Sequence, residues 1–157
     1  NLSIKENLKL VKQNLTDDEM IEACKCACLH DFIMSLPNKY DTVVGEGGVN
    51  LSGGQKQRLA IARALVQKTE IILFDEATSA LDNDTQEQIQ KAIENMNGEY
   101  TILIIAHRLS TIKNANRILY LNDGKILAEG THEQLMNNCT QYKHLYESEI
   151  IKNDYKK

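Results

Sequence analysis

The chain has 157 residues, of which 42% are hydrophobic and 25% charged, and its formal net charge is −4. This length suits one hydrophobic core, and the weak negative charge gives no reason to expect a nucleic acid or an anionic membrane surface as partner. The longest apolar runs are far shorter than the ~18 residues of a membrane span, and we recognise no signal peptide. We therefore expect a soluble, cytoplasmic chain and, because it opens at Asn1, a fragment of a longer polypeptide.

The first third of the sequence predicts helices. The stretch 16–19, Thr-Asp-Asp-Glu, is a capping box with acidic residues at a helix N-terminus. The residues behind it follow the spacing of an amphipathic helix: Met20, Ala23, Cys24, Ala27 and Cys28. The stretch 36–39 contains the only proline and breaks the chain, and the glycine-rich stretch 41–50 predicts a loop before a helix that begins near Ser52.

Four cysteines allow two interpretations. Cys24, Cys26 and Cys28 alternate in sequence, which suggests a metal site, while Cys139 stands far away. On a helix, however, Cys24 and Cys28 share a face and Cys26 points elsewhere, so three thiolates do not converge on one ion. We favour buried, small hydrophobic side chains in a reducing compartment.

The second half alternates strands and helices. The apolar runs 71–74 and 101–106 predict strands that are buried on both faces of a sheet. A helix between them carries one apolar stripe: Ile89, Ala92, Ile93 and Met96. The stretches 117–121 and 125–129 flank Asn-Asp-Gly and predict a β-hairpin. Thr131 and Gln134 predict the cap of a last helix, with a frayed polar tail from about Ile150.

These elements predict an α/β fold. The first ~60 residues are mainly helical, and the next ~70 have the pattern of half a parallel sheet, because buried strands separated by helices imply crossover connections. The strands are too few for a complete doubly wound domain.

Three polar side chains follow the two predicted parallel strands. Asp75 and Glu76 close the first strand, and His107 closes the second. Ligands of open α/β sheets sit at this edge, where one carboxylate can hold Mg²⁺, another can accept a proton from water, and a histidine can donate to a phosphate oxygen. Taken singly, each also fits a solvated acid at a strand end or a histidine in a turn.

The stretch 51–55, Leu-Ser-Gly-Gly-Gln, precedes a helix and suits an anion. Glycines let a backbone approach a ligand, Ser52 can cap the helix or donate to phosphate, and free N–H groups at a helix start attract negative charge. Arg58 and Arg63 follow on the same helix. A serine-capped glycine loop without a ligand is the simpler alternative.

The order of these motifs resembles the ATP-binding cassette (ABC) family, whose ATPase domains power membrane transporters. LSGGQ at 51–55 matches the signature motif, ILFDE at 72–76 the Walker B strand, SALD at 79–82 the D-loop, and IIAHRLST at 104–111 the switch-histidine segment. The stretches 3–8, 32–42 and 44–55 are similar to exporter-type cassettes. The resemblance spans about 4–135.

The resemblance implies a partial P-loop NTPase (RecA-like) sheet preceded by a helical signature subdomain, with boundaries at 1–65, 66–135 and 136–157. It implies ATP and Mg²⁺ as cofactors, with Asp75 at the metal and Glu76 as general base. His107 would contact the γ-phosphate. The nucleotide-binding residues would be Ser52, Gly53, Gly54, Gln55 and Asp82.

The implied partners are a second ATPase domain, in a head-to-tail dimer, and a transmembrane domain at the cytoplasmic face of the membrane; no nucleic acid is expected. The sequence holds no Gly-x-x-x-x-Gly-Lys-Ser/Thr loop, so we expect the chain by itself to bind ATP very weakly and not to hydrolyse it. A truncated binding module that offers its signature motif to a partner ATPase is the alternative. A DNA-repair or translation cassette fits less well, since its usual insertions are not seen.

Overall fold

The computed structural model describes residues 2–75, 83–96, 98–106 and 112–154. The chain divides into two compact units, Asn1–Ile105 and Ala106–Lys157. The first unit contains, in order, β1 (Leu2–Ser3), α1 (Ile4–Lys9), α2 (Asp17–Cys26), α3 (His30–Ser35), a 3₁₀ turn (Lys39–Asp41), β2 (Val43–Val44), α4 (Gly53–Gln67), β3 (Ile71–Asp75), α5 (Asn83–Asn95) and β4 (Thr101–Ile105). The second contains β5 (Ile118–Asn122), β6 (Lys125–Gly130), α6 (His132–Asn138) and α7 (Thr140–Asp154).

Among the described residues, four helices begin at a capping box, in which the N-cap side chain and the residue three positions later satisfy each other's backbone N–H. These helices are α1, α2, α4 and α6, and their N-cap residues are, in the same order, Ser3, Thr16, Ser52 and Thr131. The predicted starts near residues 16, 52 and 131 are therefore confirmed. The hydrogen bonds responsible join residues three apart, which makes them readable from sequence.

Helix α2 confirms most of its predicted stripe. Met20, Ala23, Cys24 and Ala27 are buried, but the helix ends at Cys26, so the prediction that the helix extends to Cys28 was wrong. Cys28 has a φ of 52°, in the left-handed region, and is only half-buried. The four residues of the apolar stripe predicted between the strands are all buried; three lie in α5, and Met96 directly follows its last residue.

Strands β3 and β4 pair in parallel, as predicted, with Ile71 opposite Thr101 and Asp75 opposite Ile105. The prediction that both faces are buried was wrong. Ile72 and Phe74 enter the core, whereas Ile71 and Leu73 are 65% and 58% exposed. On β4, Leu103 and Ile105 are exposed on alternate positions too. Within the first unit, a packing layer covers one face of this sheet only.

The predicted loop at 41–50 contains a short strand that sequence reasoning missed. Val43 and Val44 pair antiparallel with Ser3 and Leu2. The chain then turns through Gly45 and Gly47, which have φ values of 110° and 88°, a region that glycine adopts without strain.

The second unit contains the predicted hairpin, β5–β6. Asp123 and Gly124 at its turn both have positive φ, as the tight turn of a hairpin requires. Its small core holds Ile118, Leu135, Cys139 and Tyr142. The second unit ends in two helices instead of one, and α7 continues past Ile150 to Asp154. None of the helices in the described part of the chain combines the length and apolarity that crossing a membrane requires.

Candidate functional site

The turn at 52–55 forms the start of α4. The Gln55 backbone N–H donates to Ser52 Oγ at 3.2 Å, and the Ser52 N–H donates to Gln55 Oε1 at 2.8 Å. Ser52 and Gly53 are exposed. The cap uses the acceptor side of the Ser52 hydroxyl, so its proton can still be donated, and the N–H groups of the first turn have no partner within the helix. The turn can therefore present several donors to one anion.

The two glycines of this turn have different surroundings. Gly53 is exposed, whereas Gly54 is buried against α5, where a Cβ atom would overlap Cγ2 of Thr85. Sequence reasoning assigned both glycines to close approach by a ligand. For Gly54 the structure adds a packing requirement, which no local pattern reveals because Thr85 belongs to another helix.

The two arginines of α4 do not lie together at its start. Arg58 is 5% exposed and its Nη1 donates to Oε1 of Gln88 on α5. Arg63 lies further along the helix and is half-buried. The guanidinium of Arg58 is thus directed to a helix contact, and Lys56 is the exposed cation of the first turns.

Asp75 is the residue of the predicted site that the structure describes at the end of strand β3. It is the last residue of β3, is exposed, and lies opposite Ile105, the last residue of β4. Glu76 follows Asp75 directly in the sequence, and His107 follows Ile105 by two positions. The predicted roles of Glu76, Asp82 and His107 fall on residues outside the described part of the chain.

Sequence reasoning missed a cavity of about 640 Å³ beside the glycine-rich loop. Its lining includes Asn7, Glu46 and Lys56 together with the glycines at positions 45, 47 and 48. The clustering of three glycines in four residues was the available signal. A second cavity, of about 450 Å³, is lined by Cys26, Glu22, Glu99 and Tyr100 among others.

Burial disfavours the thiolate form of the cysteines in the α2 region. Burial raises the pKa of the Cys24 thiol to about 11, and burial also raises the pKa of Cys26 and of Cys28. Asn95 Nδ2 donates to the Cys26 carbonyl oxygen at 3.1 Å and tethers this turn to α5. Among the described residues, no three His, Cys, Asp or Glu side chains are grouped so that they could hold a metal ion.

The described part of the chain thus contains a helix start with exposed N–H donors and a parallel strand that ends in a carboxylate, features that ligand-binding α/β domains use for anions and metal ions. The family model described as ABC transporter matches residues 1–79. The chain belongs to the ABC transporter family.

Individual proteins agree with this assignment. Proteins named for multidrug export ATP-binding/permease function, from the Staphylococcus aureus strains NCTC 8325 and COL, are each 50% identical over 144 residues. These matches cover 92% of this chain and 25% of each relative. A solved structure of a bacterial Atm1-family ABC exporter with ATP bound is 41% identical, with a TM-score of 0.82, and the match covers 94% of this chain and 26% of that one. The chain thus spans about a quarter of the length of its relatives.

Proposed function

We propose that this chain works as the C-terminal part of the ATPase domain of an ABC exporter, which couples MgATP binding and hydrolysis to transport across a membrane. The observation that carries the proposal is the TM-score of 0.82, over 94% of this chain, to an ABC exporter whose structure has ATP bound. The relatives named for both ATP binding and a permease support the same function.

Asp75 is the proposed magnesium residue. Its carboxylate is exposed at the end of β3 and supplies the hard oxygen donor that Mg²⁺ prefers, so the residue fits this ion. Mg²⁺ would neutralise charge on the phosphates. Next in sequence, Glu76 accepts a proton from the attacking water, and His107 donates to the γ-phosphate as its charge develops.

The turn at residues 52–55, here called the signature turn, is the proposed contact to the nucleotide of a second ATPase domain. Ser52, Gly53 and Gly54 direct hydroxyl and backbone donors to the γ-phosphate, while Gln55 holds the turn through its cap. Asp82 belongs to the connection between the two sites of a head-to-tail dimer. The transmembrane partner would bind the ATPase domain at the cytoplasmic face of the membrane.

The proposed organisation assigns residues 1–65 to the signature subdomain, 66–135 to the ATPase core and 136–157 to a C-terminal helix and tail. The sequence contains no P-loop motif, so the β- and γ-phosphates have no cradle of their own in this chain. We infer that the chain alone neither binds ATP appreciably nor hydrolyses it, and that a P-loop is supplied by a preceding segment.

The test compares the 157-residue chain with an exporter in which this chain completes the ATPase domain. We expect MgATP hydrolysis from the exporter and its loss, by at least about a hundredfold, in Glu76→Gln, because the general base is removed. Phosphate release measures both, and Glu94→Gln is a matched control in the exposed part of α5.

Two outcomes would contradict the proposal. Hydrolysis by the isolated chain that Glu76→Gln abolishes would show that no second segment is needed. An exporter that hydrolyses ATP equally well with Glu76→Gln would refute the role of Glu76 and favour the alternative, a non-catalytic module that offers its signature turn to a partner ATPase.

A further inference from the structure

Helix α5 holds α4 through a buried arginine. Arg58 is 5% exposed, although an arginine side chain is seldom buried unless its guanidinium is bonded. Its Nη1 donates to Oε1 of Gln88, thirty residues later in the chain. The Gln88 side chain lies at the surface and its amide covers this end of the guanidinium.

A second contact joins the same helices one turn earlier. Gly54 is buried, and Thr85 occupies the space that a Cβ atom at position 54 would need. Gly54 and Arg58 are four residues apart on α4, and Thr85 and Gln88 are three apart on α5, so each pair lies on one face of its helix. The two contacts therefore form one continuous seam.

This seam begins inside the signature turn itself. Gly54 belongs to the turn at 52–55, and Arg58 follows by one helical turn. Because interior packing is dense and resists small shifts, α5 sets the direction in which the first turn of α4 presents its N–H groups. Helix α5 in turn follows the connection that leaves β3 at Asp75.

We propose that Arg58 and Gln88 are positioning residues, which hold the Ser52–Gln55 turn in the orientation that meets the nucleotide. The inference rests on the proposed function, since it assumes that this turn contacts the γ-phosphate. It adds that the contact depends on a bond between two side chains that do not themselves touch ATP. The effect of breaking the bond falls on the chemical step, where displacement of a positioned group by about 1 Å costs up to about a hundredfold.

The experiment uses the exporter in which this chain completes the ATPase domain. Gln88→Leu removes the Oε1 acceptor to which Arg58 Nη1 donates and retains the side-chain size. We expect kcat for MgATP to fall at least about tenfold while KM changes less than about threefold, the pattern of an interaction made in the transition state. Gln88→Glu keeps an acceptor for the guanidinium and is expected to retain kcat within about threefold of the original.

The matched control is Gln90→Leu, the same substitution on the same helix. The Gln90 amide donates to Glu94 within α5, and the variant should leave kcat unchanged. Thermal unfolding of each variant verifies that the assay temperature lies below its Tm. This separates positioning from stability, because a merely structural bond would lower Tm without lowering kcat in the folded protein.

The remaining outcomes are decisive. If Gln88→Leu and Gln90→Leu both retain full kcat while Glu76→Gln abolishes hydrolysis, the positioning inference is wrong and the proposed function stands. If Gln88→Glu loses as much kcat as Gln88→Leu, the acceptor is not what matters and the inference is also wrong. An unmodified exporter without ATPase activity would instead refute the proposed function.

Discussion

The two elements that carry the described part of the candidate site differ in how completely their surroundings support them. Helix α4 buries seven residues, and its first turn is held by a capping box and by α5. Strand β3 buries Ile72 and Phe74 and leaves Ile71 and Leu73 exposed. A parallel sheet is normally covered on both faces. Helix α4 is thus packed on its neighbours within the first unit, whereas the sheet has a second face that the first unit leaves uncovered.

The largest effect should come from the covered face of β3. Phe74→Ala is expected to lower the free energy of unfolding of this chain by about 3–5 kcal/mol, because it leaves a cavity in the core. Leu73→Ala, one residue earlier on the exposed face, should change it by less than about 1 kcal/mol. Urea unfolding followed by circular dichroism measures both values.

Protein concentration is the control for this pair of variants. An exposed apolar face can be covered by a second molecule, which would make Leu73→Ala costly only at high concentration. Equal losses in the two variants, independent of concentration, would show that both faces of β3 are buried and would remove the contrast with α4.

The exposed face of β3 also shows which of its properties could be predicted from the sequence. The run at 71–74 predicted a strand correctly, because continuous apolar residues bounded by polar ones favour one. Which faces are covered depends on elements far away in the chain. The identity of the four apolar residues does not indicate whether other elements cover both faces of the strand. Burial on both faces was predicted from the apolar run alone, and that prediction was wrong.

The signature turn shows the same limit on a smaller scale. Ser52 and Gln55 were readable as a cap because their bonds are local. The neighbours of Gly54 and Arg58 are Thr85 and Gln88, in a helix about thirty residues away, and a single sequence does not pair them. The sequence therefore predicted an anion-binding role for the turn but did not predict the contacts with α5 that hold the turn in place.

The next effect tests that hidden contact. Gly54→Ala is expected to lower the free energy of unfolding by about 1–3 kcal/mol, because its Cβ would overlap Cγ2 of Thr85 in a packed interface. Gly53→Ala, at the exposed neighbour, should be neutral or slightly stabilising, since alanine favours helix over glycine. Urea unfolding again provides the measurement.

A second substitution checks the cause of the Gly54 effect. Thr85→Ser removes Cγ2, so the double variant Gly54→Ala/Thr85→Ser should regain part of the lost stability. If Gly54→Ala costs no more than Gly53→Ala, the seam is loose in solution, and α4 is held mainly by its cap and its contact with α2.

The smallest effect concerns a charge cluster that belongs to the helical side of the comparison. Glu19 Oε1 accepts from Lys12 Nζ at 2.7 Å and lies 3.3 Å from Nζ of Lys68, the C-cap of α4, while Oε2 accepts from the Thr16 N–H. Hydrogen bonds with Lys12, Thr16 and Lys68 lower the pKa of Glu19 from 4.5 to about 2. The cluster ties the start of α2 to the end of α4.

A folded-state pKa below the unfolded value means that the carboxylate stabilises the fold above about pH 4.5 and that this contribution is lost as the pH falls towards 2. Glu19→Gln keeps an acceptor for the cap and removes the charge, so the stability difference from the original chain should be constant above pH 5 and shrink below 4.5. Urea midpoints between pH 3 and 7 measure this difference, with Asp18→Asn as the control for charge in the same helical turn.

The stability difference between Glu19→Gln and the original chain should also shrink in high salt, because the side chains are partly exposed. A difference that persists unchanged at pH 3 would mean that Glu19 does not act through its ionised carboxylate, and that the ends of α2 and α4 are joined by packing alone.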